Sequence, residues 1–325
     1  MSTDLLDLPA LPHYHFVLLP RFSLVAFSCA LDGLRGANQI LGRQFYTWKT
    51  VSPDRPTTVS TSDIPLITEP LDAMPEPDVI VICGGDSSHA YENSALMHWL
   101  RAKAKQGRRI GSISDGAFVA AEAGLFDKVP STIHWKCLDA YRERFPDLDI
   151  KPAIMEISEK RFSCAGGTSS LDLMLQFVRE EHGSAIASQI ADNYFHDTIR
   201  DRSREQHLTN AFRIAGRNPL LADALLLMES HLETRLSIFD IAQKLKLSRR
   251  QLDRIFKRDL NQTPKDYYRN LRLSRASGLL IQTNMNISEI AVGCGFQSAS
   301  HLGKYFTERF GQTPGQYRRQ HVFSE

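Results

Sequence analysis

Apolar residues follow two different rhythms along this chain. In the first half they come in short unbroken runs. Phe16-Val-Leu-Leu19 ends at Pro20, and Val79-Ile-Val-Ile-Cys83 ends at Gly84-Gly85. A third run, Ile110 to Ile113, follows the basic, helix-like stretch Leu100 to Arg109. Runs of this length closed by Gly or Pro predict strands buried on both faces, the habit of parallel sheets. Helix-length segments such as Ala117 to Gly124 and Leu171 to His182 lie between and after them. The alternation predicts an α/β fold, a doubly wound, flavodoxin-like parallel sheet. In such sheets the ligand crevice opens at the carboxyl ends of the strands.

In the second half the rhythm shifts to three- and four-residue spacing, and it occurs twice. Ile241-Ala242 returns as Ile290-Ala291, Leu247 as Phe296, Leu252 as Leu302, Phe256 as Phe306, and Thr263-Pro264 as Thr313-Pro314. Each copy reads as two helices joined by a short turn, a helix-turn-helix, so this half is predicted to be all-α. Gly295 falls in the turn of the second copy, where a left-handed backbone favours glycine. Ser248-x-x-Gln251 has the form of a capping box, and Asn286-x-x-Glu289 is read as its counterpart at the matching helix of the second copy. With Leu252, Ile255 and Phe256 inside, Arg249, Arg250, Asp253, Arg254 and Lys257 are left outside. The second copy turns Leu302, Tyr305 and Phe306 inward and Ala299, Ser300, His301, Lys304 and Thr307 outward.

Length and composition set bounds on these readings. The 325 residues suit two domains at roughly 150 residues each. A hydrophobic share of 42% and a charged share of 23% exclude wholesale disorder. No apolar stretch reaches the roughly 18 residues of a membrane span. Met1 to Pro9 contains Asp4 and Asp7 and lacks the basic region of a secretory signal. The five cysteines are scattered, with no CxxC pair, which argues against a disulfide scaffold or a zinc finger and suits a reducing cytoplasm. No metal and no cofactor is expected. The net charge of +2 hides an asymmetry. Residues 221–325 carry 16 Lys and Arg against 10 Asp and Glu, which leaves 23 against 27 for residues 1–220. One half is therefore suited to a polyanion and the other is not.

Candidate chemistry follows the predicted strand ends. Gly84-Gly85-Asp86 closes the second run, and Gly111-Ser-Ile-Ser-Asp-Gly116 leads from the third into a helix. The latter has the form of a nucleophile elbow with Ser114 at its tip and Asp115 beside it. Asp32 is placed at the start of a helix through Leu34 and Ala37. His134 is the one base that sequence offers Ser114, and no partner carboxylate is visible from spacing. Each has a plainer reading: the Gly pair as a turn, Ser114 as an N-cap, and His134-Trp135 as a packed strand end. Trp135 and Trp48 are read first as core and second as faces for a cationic amine. The charged stretch Asp197 to Gln206 is predicted to be a surface helix leading to a linker near Ile214 to Asn218.

Two family resemblances add to this. Phe16-Val-Leu-Leu19, Asp32-Gly-Leu-Arg-Gly-Ala-Asn38, Cys83-Gly-Gly85, Gly111 to Phe118, Ala123-Gly-Leu125 and Ile133-His-Trp135 resemble the class I glutamine amidotransferase-like (PfpI-type) domain over about residues 12–195. The variant most resembled heads GlxA-type transcription regulators, closest to the betaine, carnitine and arginine group. Pro219-Leu220, Arg272-Leu273, Arg275-Ala276, Ile290-Ala291, Gly295-Phe296, Phe310-Gly-Gln-Thr-Pro314 and Tyr317-Arg318 resemble the AraC/XylS-type DNA-binding domain.

The resemblance implies a sensor domain over 1–200, a charged helix and linker over 201–217, and two helix-turn-helix units over 218–321. Enzymatic relatives carry a cysteine at the elbow. Ser114 stands there in this chain, and its hydroxyl stays protonated near neutral pH, so a catalytically inactive sensor is expected. The family's acidic residue facing the elbow maps to Asp32. Ligand-binding candidates are thus Asp32, Gly84, Gly85, Ser114, Asp115, His134 and Trp135. DNA-reading candidates are Ser248, Arg249, Arg250, Gln251, Asp253 and Arg254 in the first unit, with Ser298, Ala299, Ser300, His301 and Lys304 in the second. The two reading helices are expected in successive major grooves about 34 Å apart. The second set is poor in strong base readers, so the first unit is expected to discriminate more. Asp253 is assigned either to a cytosine or to orienting Arg250. The implied partners are a double-stranded DNA operator, a small-molecule effector, a second copy of the chain and RNA polymerase. The implied function is a cytoplasmic activator of transcription. Two rival readings remain: an amidohydrolase-like enzyme using Ser114 with a DNA-targeting appendage, and a constitutive architectural DNA binder.

Overall fold

A computed structural model describes residues 11–54, 56–202, 204–206 and 218–322. The chain separates into two compact units, residues 1–204 and 205–325.

The first unit is built on a six-stranded sheet. Its strands are β1 (His13–Leu18), β2 (Thr47–Val51), β5 (Val79–Cys83), β6 (Arg109–Ile113), β7 (Met155–Ile157) and β8 (Arg161–Cys164). Their order is β2-β1-β5-β6-β8-β7, and every pairing is parallel except that of β7 with β8. A separate antiparallel hairpin pairs β3 (Thr57–Val59) with β4 (Pro65–Ile67). The three runs of unbroken apolar residues are β1, β5 and β6, in the centre of the sheet.

Both faces are covered. Helices α1 (Leu24–Leu41), α5 (Ser169–His182) and α6 (Ser184–Asn193) pack on one another over one face. There Phe16, Val81 and Phe162 meet Phe27, Leu34, Met174 and Phe177 in one buried cluster. The alternate residues of each strand point the other way, toward α2 (Ser94–Lys105) and α3 (Ala117–Glu122), with α4 (Leu138–Arg144) following α3 in the chain. His15 on that second face stacks on Trp99 of α2.

Helix α1 begins earlier than sequence suggested, because Ser23 caps it by accepting from the Ala26 amide. Asp32 therefore lies inside the helix rather than at its start. The stretch 197–202 with residues 204 and 205 is not helical, contrary to expectation. The Arg200 amide donates to the buried Asp172 carboxylate on α5, 2.7 Å away, instead of to a helical carbonyl. The linker expected near Ile214 lies outside the described residues.

The second unit is all-α. Its helices are α7 (Pro219–Glu229), α8 (Ile238–Lys244), α9 (Arg249–Leu260), α10 (Pro264–Gln282), α11 (Ile287–Gly293), α12 (Ala299–Phe310) and α13 (Pro314–Val322). Leu221, Leu225, Ile241, Leu252, Phe256 and Tyr268 form the first core. Ile290, Ala291, Leu302 and Phe306 occupy the matching buried positions of the second copy. Helix α10 joins the two, touching α9 on one side and α11 to α13 on the other. The turns also match. Phe296 donates to Ala291 O as Leu247 does to Ala242 O. Gly295 has φ +67° and its counterpart Lys246 has φ +55°. The box of Asn286 with Glu289 caps α11, the first helix of its unit, so it corresponds to Ser237 with Asp240 on α8 and not to Ser248.

Candidate functional site

Three strand ends converge on Ser114. The chain leaves β6, turns at Ser114 with φ +54°, and enters α3 through one 3-10 turn. A non-glycine residue in this region stores strain, and such strain persists only where the surroundings hold it. Here they do, by close approach of backbone. A Cβ on Gly84, after β5, would come within 2.0 Å of the Gly116 amide nitrogen. A Cβ on Gly166, after β8, would stand 2.7 Å from the Ser114 Cβ. Gly85 presses in the same way on the Arg21 carbonyl beyond β1. The expected elbow is present, and only glycine fits around it.

Five charged or titratable groups gather beside the elbow: Asp86, Asp115, His134, Lys136 and Cys137. Asp115 is buried, and burial raises its carboxyl to about 7, with Asp86 adding to the rise and hydrogen bonds from Cys137 and Ser114 opposing it. Its Oδ1 has no hydrogen-bond partner among the described residues. His134 is pushed down to about 4 by burial and then by Lys136, with Asp86 opposing. Its imidazole is therefore neutral at pH 7, and Nδ1 accepts from the Lys136 amide at 3.4 Å. No hydrogen bond joins His134 to Ser114 among the described residues. Trp135 is not core: it is 44% exposed, with the Lys136 ammonium 5.7 Å from its ring. Trp48 is half-buried against the main core.

Asp32 does not join this group. Helix α1 returns from the carboxyl ends of the strands at 1.5 Å per residue, which sets Asp32 about 12 Å along the axis from Leu24. Its carboxylate pairs with Arg35 Nε at 2.6 Å, and its carbonyl accepts from the Tyr194 hydroxyl. The structure thus brings together Gly84, Gly85, Ser114, Asp115, His134 and Trp135, leaves Asp32 apart, and adds Asp86, Lys136 and Cys137. Sequence named Asp86 within Gly84-Gly85-Asp86 without giving it a role, and missed Lys136 and Cys137 because no motif carries them, although they follow His134-Trp135.

The two reading helices of the second unit differ in what they expose. On α9, Arg249, Arg250, Arg254 and Lys257 all stand in solvent. Asp253 lies 4.0 Å from Arg249 Nε one turn back, and no contact with Arg250 is seen among the described residues. Ser248 and Gln251 are occupied in the capping box: the Gln251 amide donates to Ser248 Oγ, and Gln251 Oε1 accepts from the Ser248 amide. On α12, Ser298 is the N-cap and accepts from the His301 amide at 3.1 Å. The His301 ring packs edge-on against Phe296 and Tyr305. Ser300 and Lys304 are exposed, and Ala299 is half-buried.

Three arginines around the second copy are bonded to backbone carbonyls. Arg272 is buried, donates to the Gly295 carbonyl at 2.8 Å and lies over the Phe296 ring. Burial lowers its guanidinium to about 10, with Arg235 adding to the drop, so it remains charged at pH 7. Arg309 donates to the Asn270 carbonyl and to Ser274 Oγ. Arg318 donates to the Leu280 and Met285 carbonyls. The basic excess of this half is therefore divided, with solvent-exposed cations on α9 and carbonyl-bonded ones around α12.

Comparison with known proteins supports both halves. Residues 36–179 match the DJ-1/PfpI family, and residues 241–320 match the helix-turn-helix domain family. The HTH-type transcriptional regulator GbdR of Pseudomonas aeruginosa is 34% identical over 305 residues, spanning 94% of this chain and 83% of its own. This chain belongs to the AraC-family transcription regulators that carry a DJ-1/PfpI domain. Two other such regulators are similar over the same span. GlxA of Rhizobium meliloti is 34% identical over 94% of both chains. CdhR of Pseudomonas aeruginosa is 33% identical over 94% of this chain and 91% of its own. The crystal structure of an AraC family transcriptional regulator from Pseudomonas putida superposes with a TM-score of 0.52 at 27% identity. It covers 56% of this chain and 99% of that one.

As an AraC-family regulator, the protein binds DNA through its helix-turn-helix units. No helix among the described residues is long and apolar enough to cross a membrane.

Proposed function

We propose that this regulator is a sequence-specific activator whose DNA reading is gated by a small metabolite held at the Ser114 elbow, and that the elbow does not catalyse. The observation carrying this reading is an elbow kept in a strained conformation with a serine at its tip and, among the described residues, no hydrogen bond from that serine to His134. Its hydroxyl is bonded instead to the Asp115 carboxyl, which burial raises to about 7. Without an oriented imidazole the Ser114 hydroxyl is a poor nucleophile. The surrounding groups suit recognition instead. Asp115 and Asp86 offer acceptors, Lys136 offers a charge, the neutral His134 offers either role, and Trp135 presents a half-exposed face. Gly84 and Gly85 let backbone approach a bound molecule. An effector of amino-acid or methylated-amine type fits this mixture. The protein would work as a cytoplasmic homodimer on its operator and engage RNA polymerase.

Thermal unfolding of the full chain against amino acids, methylated glycines, carnitine and polyamines tests the reading. A molecule at 100 times its Kd raises stability by about 2.7 kcal/mol, a clear rise in Tm. The expected result is a hit that Asp115→Asn abolishes and Asp32→Asn leaves intact. Amide hydrolysis by the wild type that vanishes in Ser114→Ala would establish the enzyme reading instead. DNA affinity indifferent to every compound that raises Tm would contradict gating.

A further inference from the structure

Asp172 is an unusual carboxylate for an α/β unit. It lies on α5 with its side chain wholly buried (0% exposed). A buried charge is tolerated only when it is paired and its lone pairs are filled. All of its partners come from one short stretch after α6. The Arg200 amide donates to Oδ1 at 2.7 Å, and Arg200 Nε donates to Oδ2 at 2.9 Å. Arg200 Nη2 approaches Oδ2 at 2.6 Å, and His196 Nε2 lies 2.8 Å from Oδ1. Nearby, the Ile154 amide donates to the Arg204 carbonyl at 2.9 Å.

The same guanidinium reaches toward the elbow. Arg200 Nη2 also donates to Thr168 Oγ1 at 2.8 Å. Thr168 is the N-cap of α5 and follows Gly166 and Gly167, both in the left-handed region at φ +85° and +57°. Gly166 is the backbone pressed against Ser114. One loop three residues long thus touches the elbow at one end and Arg200 at the other. Arg200 in turn fixes the last described stretch of the first unit before the chain passes to the DNA-binding helices.

We infer that Thr168, Asp172 and Arg200 form a latch that transmits the state of the Ser114 elbow, through Gly166-Gly167, to the segment entering the linker. The inference rests on the gated reading above and supplies its missing link, a set of positioning residues that bind neither effector nor DNA. A displacement at Ser114 moves Gly166, the Thr168 hydroxyl leaves Arg200, and the hold on residues 196–204 weakens. Because coupling between sites is reciprocal, release of Arg200 must also loosen the elbow.

Hydrogen exchange on the full chain tests this without effector or DNA, so its failure is separate from failure of the gated reading. The Arg200 amide is itself a latch bond, so its exchange rate reports the latch directly. Gly166→Ala, a change at the elbow, is expected to speed exchange at residues 196–202 on the order of 10-fold. Thr168→Val should do so by a smaller factor, and it carries the test if Gly166→Ala does not fold. The reverse arm separates coupling from local damage. Arg200→Ala is expected to speed exchange over residues 111–118, and Arg200→Lys to restore it in part. Unchanged exchange at 196–202 in the folded elbow variants, or an elbow indifferent to Arg200→Ala, overturns the latch.

Discussion

The two helix-turn-helix units share one scaffold and use their charge in opposite ways. In the first, the arginines stand on the reading helix α9 and face solvent. In the second, the buried Arg272, the half-buried Arg318 and the exposed Arg309 are bonded to backbone carbonyls, and α12 presents Ser300, a packed histidine and a single lysine. Guanidinium groups bonded to carbonyls stiffen a fold, whereas those left in solvent can take guanine edges. A repeat in sequence therefore need not be a repeat in function. We propose that the first copy discriminates sequence and the second holds position on the duplex.

The largest expected effect falls on the turn of the second copy. Arg272→Ala leaves the Gly295 carbonyl without its donor and opens a space over Phe296, a loss of about 3 kcal/mol for a buried, hydrogen-bonded charge. Thermal unfolding of the full chain should show it as a lower or split transition, and an unchanged profile would deny that Arg272 is a clamp. Next in size is the loss of reading. Arg250→Ala should cost about 1–3 kcal/mol of affinity for the preferred duplex and much less for unrelated DNA. Lys304→Ala should instead weaken all duplexes alike and lower the salt slope by about 1. Equal losses on both duplexes for Arg250→Ala would make it a phosphate contact.

A smaller change sharpens the turn comparison. Lys246 adopts the left-handed backbone that glycine supplies at 295, so Lys246→Gly should relieve roughly 1 kcal/mol of steric cost, partly offset by backbone entropy. Gly295→Ala runs the other way, since its Cβ would come within 2.6 Å of the Leu232 carbonyl. Denaturant midpoints of the two variants should move in opposite directions. The smallest effect is one of pH. Burial raises Glu229 of α7 to about 7, so the folded state binds its proton more tightly than the unfolded state does. Its contribution is complete below the ordinary carboxyl value of about 4.3 and is lost as pH rises through 7. Stability of the helical unit should thus fall as pH rises from about 4.3 to about 7, and Glu229→Gln should flatten that slope.

Sequence showed the fold most clearly where one physical signal dominated. β1, β5 and β6 are buried on both faces, so their composition alone marks them. β2 escaped because Thr47-Trp-Lys-Thr-Val51 lies at a sheet edge and mixes Lys with apolar residues. β8 escaped because Arg161-Phe-Ser-Cys164 is short and carries a buried serine, whose hydroxyl accepts from the Thr132 amide. The elbow was legible from its glycines, since close backbone approach leaves glycine no substitute. Asp32 was misplaced because Ser23, not the acidic residue, caps α1. The stretch around Arg200 was misread as helix because its partner, Asp172, is remote in sequence, and composition cannot reveal a buried ion pair. The carbonyl-bonded arginines were likewise invisible: unbonded and clamping guanidinium groups look alike until their carbonyls are located.

Selection of duplexes from a random pool by the full-length protein tests the unequal division of labour most directly. The account predicts enrichment of a site with one strongly constrained element and, about one helical turn away, a second of relaxed sequence. Arg250→Ala should erase the constrained element and leave the other as it was. Two elements of equal constraint, or a constrained element that survives Arg250→Ala, would contradict it.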